Sequence, residues 1–167
     1  VPAYLSLPVE SGGIGLSVLG TTGLIVAMQV GMWFGYVMYG FASDAFGRRS
    51  TYVAYLLMAA ALLVGYTTTR NALVLLLLMP LAAFFGAGYA SGFGAITAEI
   101  YPTDIRAIGQ GFTYNMGRVA AAAAPLMAGS LAQEHGFVPM FLASAAAFVL
   151  AAVCWIWIPE TLGRALE

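Results

Sequence analysis

Residues 17–49 read SVLGTTGLIVAMQVGMWFGYVMYGFASDAFGRR, a long apolar run that ends in a short charged loop. No Asp, Glu, Lys, Arg or His occurs in residues 11–43. A helix needs about 20 apolar residues to cross a bilayer, so this run is long enough for a complete span. We therefore expect a membrane-spanning helix over residues 17–42, followed by a loop that begins near Asp44 and contains an arginine pair.

Four further apolar runs follow the first. Residues 50–69, 71–98 and 136–159 contain no Asp, Glu, Lys, Arg or His, and residues 107–133 contain only Arg118 of these types. These runs are continuous rather than alternating, which favours helices over strands. The sequence therefore predicts an all-α fold, a polytopic membrane helical bundle that forms a single transmembrane domain. Its five transmembrane helices are expected at residues 17–42, 50–69, 72–96, 108–132 and 137–158.

The composition excludes several classes of protein. Of the 167 residues, 62% are hydrophobic and 8% are charged, whereas a soluble domain carries about 25% charged residues. Six arginines and seven acids give a net charge of −1, so no basic surface is available to bind nucleic acid. Cys154 and His135 are single residues of their kind, which excludes a disulfide framework and a Cys/His metal site. We expect no cofactor and no enzymatic activity, because no catalytic constellation is visible.

The arginines predict how the chain is oriented. With five spans, Arg48, Arg49, Arg106 and Arg164 share one side of the membrane and Arg70 lies on the other. Because positive loops face the cytoplasm, the N-terminus is expected outside and the C-terminus inside a cell membrane. The chain starts at Val1 with what reads as an extracellular loop. We interpret it as a piece of a longer protein, with a processed complete protein as the alternative.

Arg118 is the charge that the apolar pattern does not explain. From Arg106 to Arg118 a helix rises about 18 Å, which reaches the middle of a hydrocarbon layer about 30 Å thick. A cation at that depth is costly and should face a partner acid or a water-filled path. Tyr114 and Asn115 lie one turn away and supply polar neighbours. We interpret Arg118 as an anion-binding residue, and a structural ion pair with an acid outside this chain is the alternative.

Other side chains in the spans are candidates for lining a cavity. Such residues are Gln29, Trp33 and Tyr36 in the first span and Tyr89 in the third. Aromatic residues in spans also serve as packing residues or interfacial anchors, which is the alternative for these positions. The Gly31-x-x-x-Gly35 pattern is read first as a site of close helix packing. No Asp or Glu falls near mid-membrane, so a proton carrier is not visible in this chain.

Three loop motifs carry a resemblance to a known family. The first reads Gly40-Phe-Ala-Ser-Asp-Ala-Phe-Gly-Arg-Arg49 and resembles the G-x-x-x-D-R-x-G-R-R loop of the major facilitator superfamily, with Ala45 where that pattern has arginine. The second, Glu99-Ile-Tyr-Pro-Thr-Asp-Ile-Arg106, is similar to a loop before the eleventh span of sugar-porter and organic-acid symporter branches. The third reads Pro-Glu160-Thr-Leu-Gly and resembles the P-E-T-K-G motif after the twelfth span, with leucine replacing lysine.

The resemblance implies the C-terminal part of a twelve-span transporter, spans eight to twelve, most like the sialate, aromatic-acid and monocarboxylate proton symporters. The expected partners are the lipid bilayer, a missing N-terminal half and a small organic anion carried by alternating access. A sugar or other metabolite porter and a non-transporting membrane interaction fragment are the alternatives. The resemblance also implies an inner charge network, formed when the cytoplasmic side is closed, of Asp44, Gly47, Arg48, Arg49, Glu99, Arg106 and Glu160.

Overall fold

The computed structural model describes residues 18–69 and 72–163, which form helices and no strand. Expectations about the N-terminal segment, Arg70 and Arg164 fall outside these ranges. The helices are α1 (Val18–Phe46), α2 (Arg48–Thr68), α3 (Ala72–Gly88), α4 (Ala90–Ile100), α5 (Arg106–His135) and α6 (Phe137–Ile156).

The prediction of an all-α membrane bundle is confirmed. Within the described ranges four helical stretches are long and apolar enough to cross a membrane. They are Gly20–Phe46, Arg48–Thr68, Leu73–Ile100 and Phe137–Ile156. The third stretch joins α3 and α4, which are separated only at Tyr89. Helix α5 has 30 residues, a sufficient length, but it carries Arg118 and other polar side chains. That it forms a fifth span stays a prediction.

Several helices extend beyond the apolar runs that predicted them. Helix α1 continues through Asp44 to Phe46, and α4 continues through Glu99 to Ile100. Charged side chains at a membrane surface do not end a helix, because its backbone hydrogen bonds are made within the segment. The break between α1 and α2 falls at Gly47, where φ is +98°. Only glycine adopts such a conformation at little cost, so backbone conformation sets this boundary.

Helix α1 packs against α3 at backbone distance. A Cβ added at Gly31 would lie 2.4 Å from the carbonyl oxygen of Pro80, and one added at Gly35 would lie 2.2 Å from that of Phe84. Small residues allow such contact, and apolar burial gives little driving force for helix association in lipid. The Gly31-x-x-x-Gly35 pattern is therefore a close-packing face, as its first interpretation proposed.

Two apolar clusters fill the interior. One contains Leu24, Tyr66, Leu75, Met79 and Phe141. The other, which we call the aromatic cluster, is centred on Tyr39, Tyr52 and Tyr55, and the ring of Tyr52 stacks on that of Trp155 at 3.7 Å. These clusters hold α1, α2, α3 and α6 together. Helix α5 packs mainly against α4 and α6, and its residues 114–119 are exposed.

Candidate functional site

The C-terminal ends of α1 and α4 and the N-terminal end of α2 meet the segment after α6 in a cluster of charged groups, which we call the inner clamp. Its members are Asp44, Arg48, Glu99, Glu160 and Thr161. They come from three distant parts of the sequence, residues 44–48, 99 and 160–161. The inner clamp therefore joins the helices at their ends, whereas the two apolar clusters join them along their length.

Arg48 is the centre of the inner clamp. Its guanidinium pairs with Asp44 one turn earlier and with Glu99 on α4, where Nη2 and Nε both lie 3.2 Å from Oε1. Nη1 also donates to Oγ of the buried Ser43 at 2.8 Å. An arginine has five N–H donors in a fixed fork, so one side chain can join two helices to a third. Ser43 was absent from the sequence prediction.

Glu160 binds the N-terminus of α2 although it lies after α6. Its carboxylate accepts the backbone N–H of Arg48 at 2.7 Å and that of Arg49 at 3.2 Å. The first N–H groups of a helix have no partner within the helix and favour a negative charge. Gly47 occupies the N-cap position and has no side chain to supply one. The carboxylate of Glu160 therefore caps α2 from a distance of more than a hundred residues in sequence.

Gly47 is required at this point for two reasons. Its φ of +98° is strained for any residue with a side chain. A Cβ at this position would also lie 2.7 Å from Oε2 of Glu160. The glycine in the loop motif thus provides both the turn and the room for the capping carboxylate.

The pKa of Glu160 is set by two opposing effects. Burial alone raises the pKa of this carboxyl, but hydrogen bonds from the backbone N–H groups of Leu162, Arg48, Arg49 and Thr161 outweigh it and lower the pKa below the ordinary value of 4.5. Hydrogen bonds to a carboxylate favour its charged form. Glu160 is therefore ionised at neutral pH, in the form that caps the helix.

We predict that the inner clamp loses stability in acid because of Glu160. A carboxyl group whose pKa is lowered on folding stabilises the fold above its unfolded pKa, and this contribution disappears as pH falls through the folded pKa. The melting temperature of the detergent-solubilised protein should therefore decrease as the pH is lowered below 4.5. The Glu160→Gln variant should melt lower than the parent at pH 7, and the gap should narrow as pH decreases. A gap that stays constant from pH 7 to pH 3 would contradict this account.

Two further contacts fasten the segment after α6. The buried hydroxyl of Thr161 donates to Oε2 of Glu99, which orients that carboxylate toward Arg48. The side chain of Arg49 donates from Nη1 to the carbonyl oxygen of Ile156, the last residue of α6, at 3.4 Å. A cation is favourable at a helix C-terminus. Thr161 lies within the third motif, so its position was visible in the sequence but its role was not.

Arg106 is the first residue of α5. Its Nε donates to the carbonyl oxygen of Tyr101 at 3.2 Å, and Tyr101 is the residue that follows the last turn of α4. The described hydrogen bond of Arg106 thus stabilises the loop that leads into α5. Its membership of the inner charge network stays a prediction.

Arg118 and Tyr114 form a pair on the exposed face of α5. Nη1 of Arg118 donates to the hydroxyl of Tyr114 at 3.2 Å, and Cζ lies 5.5 Å from the centre of the tyrosine ring. The ring of Phe93 on α4 lies 6.2 Å from that of Tyr114. Among residues 18–69 and 72–163 the ion pairs involve other arginine and histidine side chains. The guanidinium of Arg118 therefore stands beside the ring of Tyr114 and is open to solvent or a ligand.

The remaining candidate site residues have different surroundings in the structure. Asn115 donates its amide to the carbonyl oxygen of Gly111 at 2.7 Å and so bonds to its own helix. Gln29, Trp33 and Tyr36 are exposed on α1. Tyr89 packs in the aromatic cluster against Tyr52, with ring centres 5.3 Å apart. This contact fits a packing role for Tyr89, and its role in a substrate cavity stays a prediction.

The described residues contain no group of three or more His, Cys, Asp or Glu side chains that could hold a metal ion. The acids of the inner clamp are instead bonded to arginine, threonine and backbone N–H groups. The arrangement can therefore do two things chemically. The inner clamp can hold helix ends together through charge, and the Arg118 face can bind an anion.

Comparison with known proteins agrees with this architecture. The family model of the Major Facilitator Superfamily matches residues 3–166, nearly the whole chain. The chain belongs to the major facilitator superfamily. It is a multi-pass membrane protein, as the apolar helices and the family together indicate.

Three relatives of the chain are named for transport. A Haemophilus influenzae protein named for metabolite transport is 31% identical over 89% of the chain, which is 36% of that protein. An inner membrane metabolite transport protein of Escherichia coli is 32% identical over 95% of the chain and 36% of its own length. A cis,cis-muconate transport protein of Acinetobacter baylyi is 31% identical over 92% of the chain and 36% of its own length. The chain thus spans about a third of the length of the curated relatives it matches.

Proposed function

We propose that this chain is the C-terminal portion of a secondary active transporter that carries a small organic acid by alternating access, coupled to protons. The observation that carries the proposal is the exposed guanidinium of Arg118, whose contacts in the described part of the chain are with Tyr114, on a helix rich in alanine and glycine. An arginine within the hydrocarbon layer of a membrane is energetically costly unless a ligand or a partner residue binds it. A carboxylate substrate supplies that partner.

The chemistry of the Arg118 face favours an organic anion over a neutral sugar. A guanidinium binds a carboxylate through two parallel N–H···O bonds between opposite charges. A sugar hydroxyl carries no charge and binds a guanidinium more weakly. The ring of Tyr114 beside it, with the ring of Phe93 next to that of Tyr114, offers apolar surface for the body of the substrate. The Acinetobacter baylyi relative is named for transport of cis,cis-muconate, a carboxylic acid, which supports this class of substrate.

The proton carrier in this proposal belongs to residues outside this chain. Asp44, Glu99 and Glu160 are gathered in the inner clamp, each engaged by arginine or backbone N–H groups. A proton relay through a membrane requires an intramembrane carboxylate or histidine. We propose that the N-terminal part of a full-length transporter supplies it. The reading frame upstream of Val1 should then encode seven more apolar spans.

In this proposal the chain begins outside the cell and ends inside it, so the inner clamp lies at the cytoplasmic face. Its ion pairs join α1, α2 and α4 with the segment after α6. Such pairs stabilise one arrangement of helices and are lost in another. We assign the clamped arrangement to the state that is closed to the cytoplasm.

An uptake experiment tests the transport proposal. The full-length reading frame that contains residues 1–167 is reconstituted in proteoliposomes and offered labelled cis,cis-muconate, benzoate or glucose, with and without an inward proton gradient. We expect gradient-dependent uptake of at least one acid and none of glucose. Uptake of glucose alone would instead support the sugar-porter alternative. No uptake of any of the three by protein that is folded in the membrane would favour a non-transporting interaction fragment.

We predict that charge reversal in the inner clamp shifts the transporter toward the inward-open state. Arg48→Glu places a third acid beside Asp44 and Glu99, and their repulsion should change the ratio of inward-open to outward-open protein by at least about fivefold. The readout is labelling by an impermeant maleimide, from the cytoplasmic side, of a cysteine placed at Gly111, where a Cβ meets open space.

Arg49→Glu is the matched control, because the side chain of Arg49 bonds only to a carbonyl oxygen in the described structure. It should change the labelling rate much less than Arg48→Glu does. The double variant Arg48→Glu/Glu99→Arg restores an opposite-charge pair and should recover part of the parental ratio. Equal labelling of the parent and Arg48→Glu would count against a gating role.

A further inference from the structure

The polar contact between α4 and α5 is made by a side chain that the transport proposal does not use. The amide nitrogen Nε2 of Gln110 donates to the carbonyl oxygen of Gly94 at 3.0 Å and to Oγ1 of Thr97 at 3.2 Å. A glutamine amide has two N–H donors, so both are satisfied on α4. The hydroxyl of Thr97 in turn donates to the carbonyl oxygen of Phe93 at 2.6 Å. This chain of bonds orients Thr97 to accept from Gln110.

The location of Gln110 gives this contact its importance. Beyond it, residues 114–119 of α5 are exposed, and the ring of Tyr114 meets Phe93 only at a centroid distance of 6.2 Å. Arg118 stands about 12 Å further along the helix. The position of the guanidinium relative to α4 therefore depends on how the inner part of α5 is fixed. Gly109 packs on the ring of Tyr101 at the same end, and Gln110 supplies the directional bonds.

We infer that Gln110 is a positioning residue that sets the distance and rotation of α5 against α4 and thereby places Arg118 and Tyr114 at the anion site. This inference rests on the proposed function for its effect on substrate, but the α4–α5 tie itself does not. Hydrogen bonds between helices in a membrane contribute modestly to stability, so loss of the tie should loosen α5 without unfolding the bundle.

The tie is tested first by a distance measurement that needs no substrate. Spin labels are placed in the full-length protein, with Cys154 changed to Ser, at two exposed positions, Leu57 on α2 and Met116 on α5. Gln110→Leu should give a distance distribution about twice as wide as that of the parent, since one directional contact between helices is lost. The matched control is Gln133→Leu, a glutamine exposed near the far end of the same helix, which should leave the distribution unchanged.

The Gln110→Glu variant separates hydrogen bonding from packing. A protonated carboxyl can still donate to α4, whereas a carboxylate would face the carbonyl oxygen of Gly94 and be repelled. The distance distribution of this variant should therefore be narrow at low pH and wide at high pH, while those of the parent and Gln110→Leu change little. If Gln110 only fills space, Gln110→Leu will match the parent at every pH, and the inference is overturned.

The effect on the site is tested by uptake kinetics with cis,cis-muconate. Gln110→Leu should raise KM about three- to tenfold with little change in the maximum rate, because a displaced Arg118 binds the carboxylate less well. A widened distance distribution with an unchanged KM would refute the positioning role. If Arg118→Ala also leaves uptake intact, the proposed function fails, whereas the distance measurement still decides whether Gln110 ties the helices.

Discussion

Replacing Arg118 with alanine is expected to abolish uptake of a carboxylate substrate by the full-length protein. The amount of protein in the membrane should stay unchanged. Truncating one partner of a desolvated, hydrogen-bonded charge pair costs about 2–5 kcal/mol. The ratio of maximum rate to KM should therefore fall about a hundredfold or more. The side chain of Arg118 is exposed and touches Tyr114, so its removal leaves no buried polar group unsatisfied. The loss should thus be one of transport and not of folding.

Two companion variants sharpen this test. Arg118→Lys keeps the charge but loses the planar fork that pairs with a carboxylate, so it should recover only part of the activity. Tyr114→Phe removes the hydroxyl that accepts from Nη1 but keeps the ring, and should change KM only a few-fold. Arg49→Ala removes an exposed arginine that bonds to a carbonyl oxygen, so it should lower uptake much less than Arg118→Ala does. Unchanged uptake kinetics in Arg118→Ala would remove Arg118 from the substrate site.

The sequence predicted the contact of Tyr114 with Arg118 from helix periodicity alone. The two residues are one turn apart and meet as expected. The contacts of Arg48 with Asp44 and Glu99 were implied by the loop motifs and their resemblance to a known family. The rise and period of a helix alone do not bring Glu99 to Arg48.

The capping of α2 by Glu160 could not be predicted from such patterns. Glu160 lies 112 positions after Arg48, and its carboxylate accepts hydrogen bonds from backbone N–H groups. Nearly every residue has such a group, so the sequence does not show which ones a distant carboxylate will bind. The motif resemblance placed Glu160 in an inner network, but as a charge facing other charges. Its carboxylate instead serves a helix end, and this role depends on the φ of Gly47.

Tyr89 and Gln110 illustrate how tertiary structure decides the role of a residue in a span. An aromatic side chain in a membrane helix can line a cavity or pack in the bundle, and the helix pattern alone does not distinguish the two. The junction of α3 and α4 directs Tyr89 onto Tyr52. Gln110 carries no charge and breaks no pattern, so its two bonds to α4 become visible only when the helices are placed side by side.

Replacing Gly35 with alanine should destabilise the bundle more than any other glycine-to-alanine replacement in α1. The new Cβ would lie 2.2 Å from the carbonyl oxygen of Phe84 and 3.0 Å from its Cα. Both atoms belong to the backbone of α3, so no change of side-chain rotamer relieves the overlap and the helices must separate. Overpacking of this kind costs about 1–3 kcal/mol and sometimes more. The melting temperature of the protein in detergent should fall by about 5 °C or more.

Matched variants distinguish backbone overlap from a general effect of alanine. Gly23→Ala and Gly40→Ala lie on the same helix, where an added Cβ meets nothing within 4 Å, and both should melt at or above the parental temperature. Gly92→Ala clashes with the ring of Tyr39, its Cβ lying 2.3 Å from the hydroxyl oxygen. The side chain of Tyr39 can be shortened, so Tyr39→Leu should rescue Gly92→Ala in part.

No such rescue is open to Gly35→Ala, because Phe84→Ala removes a side chain and leaves the obstructing carbonyl in place. The double variant Gly35→Ala/Phe84→Ala should therefore melt no higher than Gly35→Ala alone. Recovery of the parental melting temperature in that double variant would show that α1 and α3 meet through side chains. A melting temperature of Gly35→Ala equal to that of Gly40→Ala would show that the two backbones are not in contact at this position.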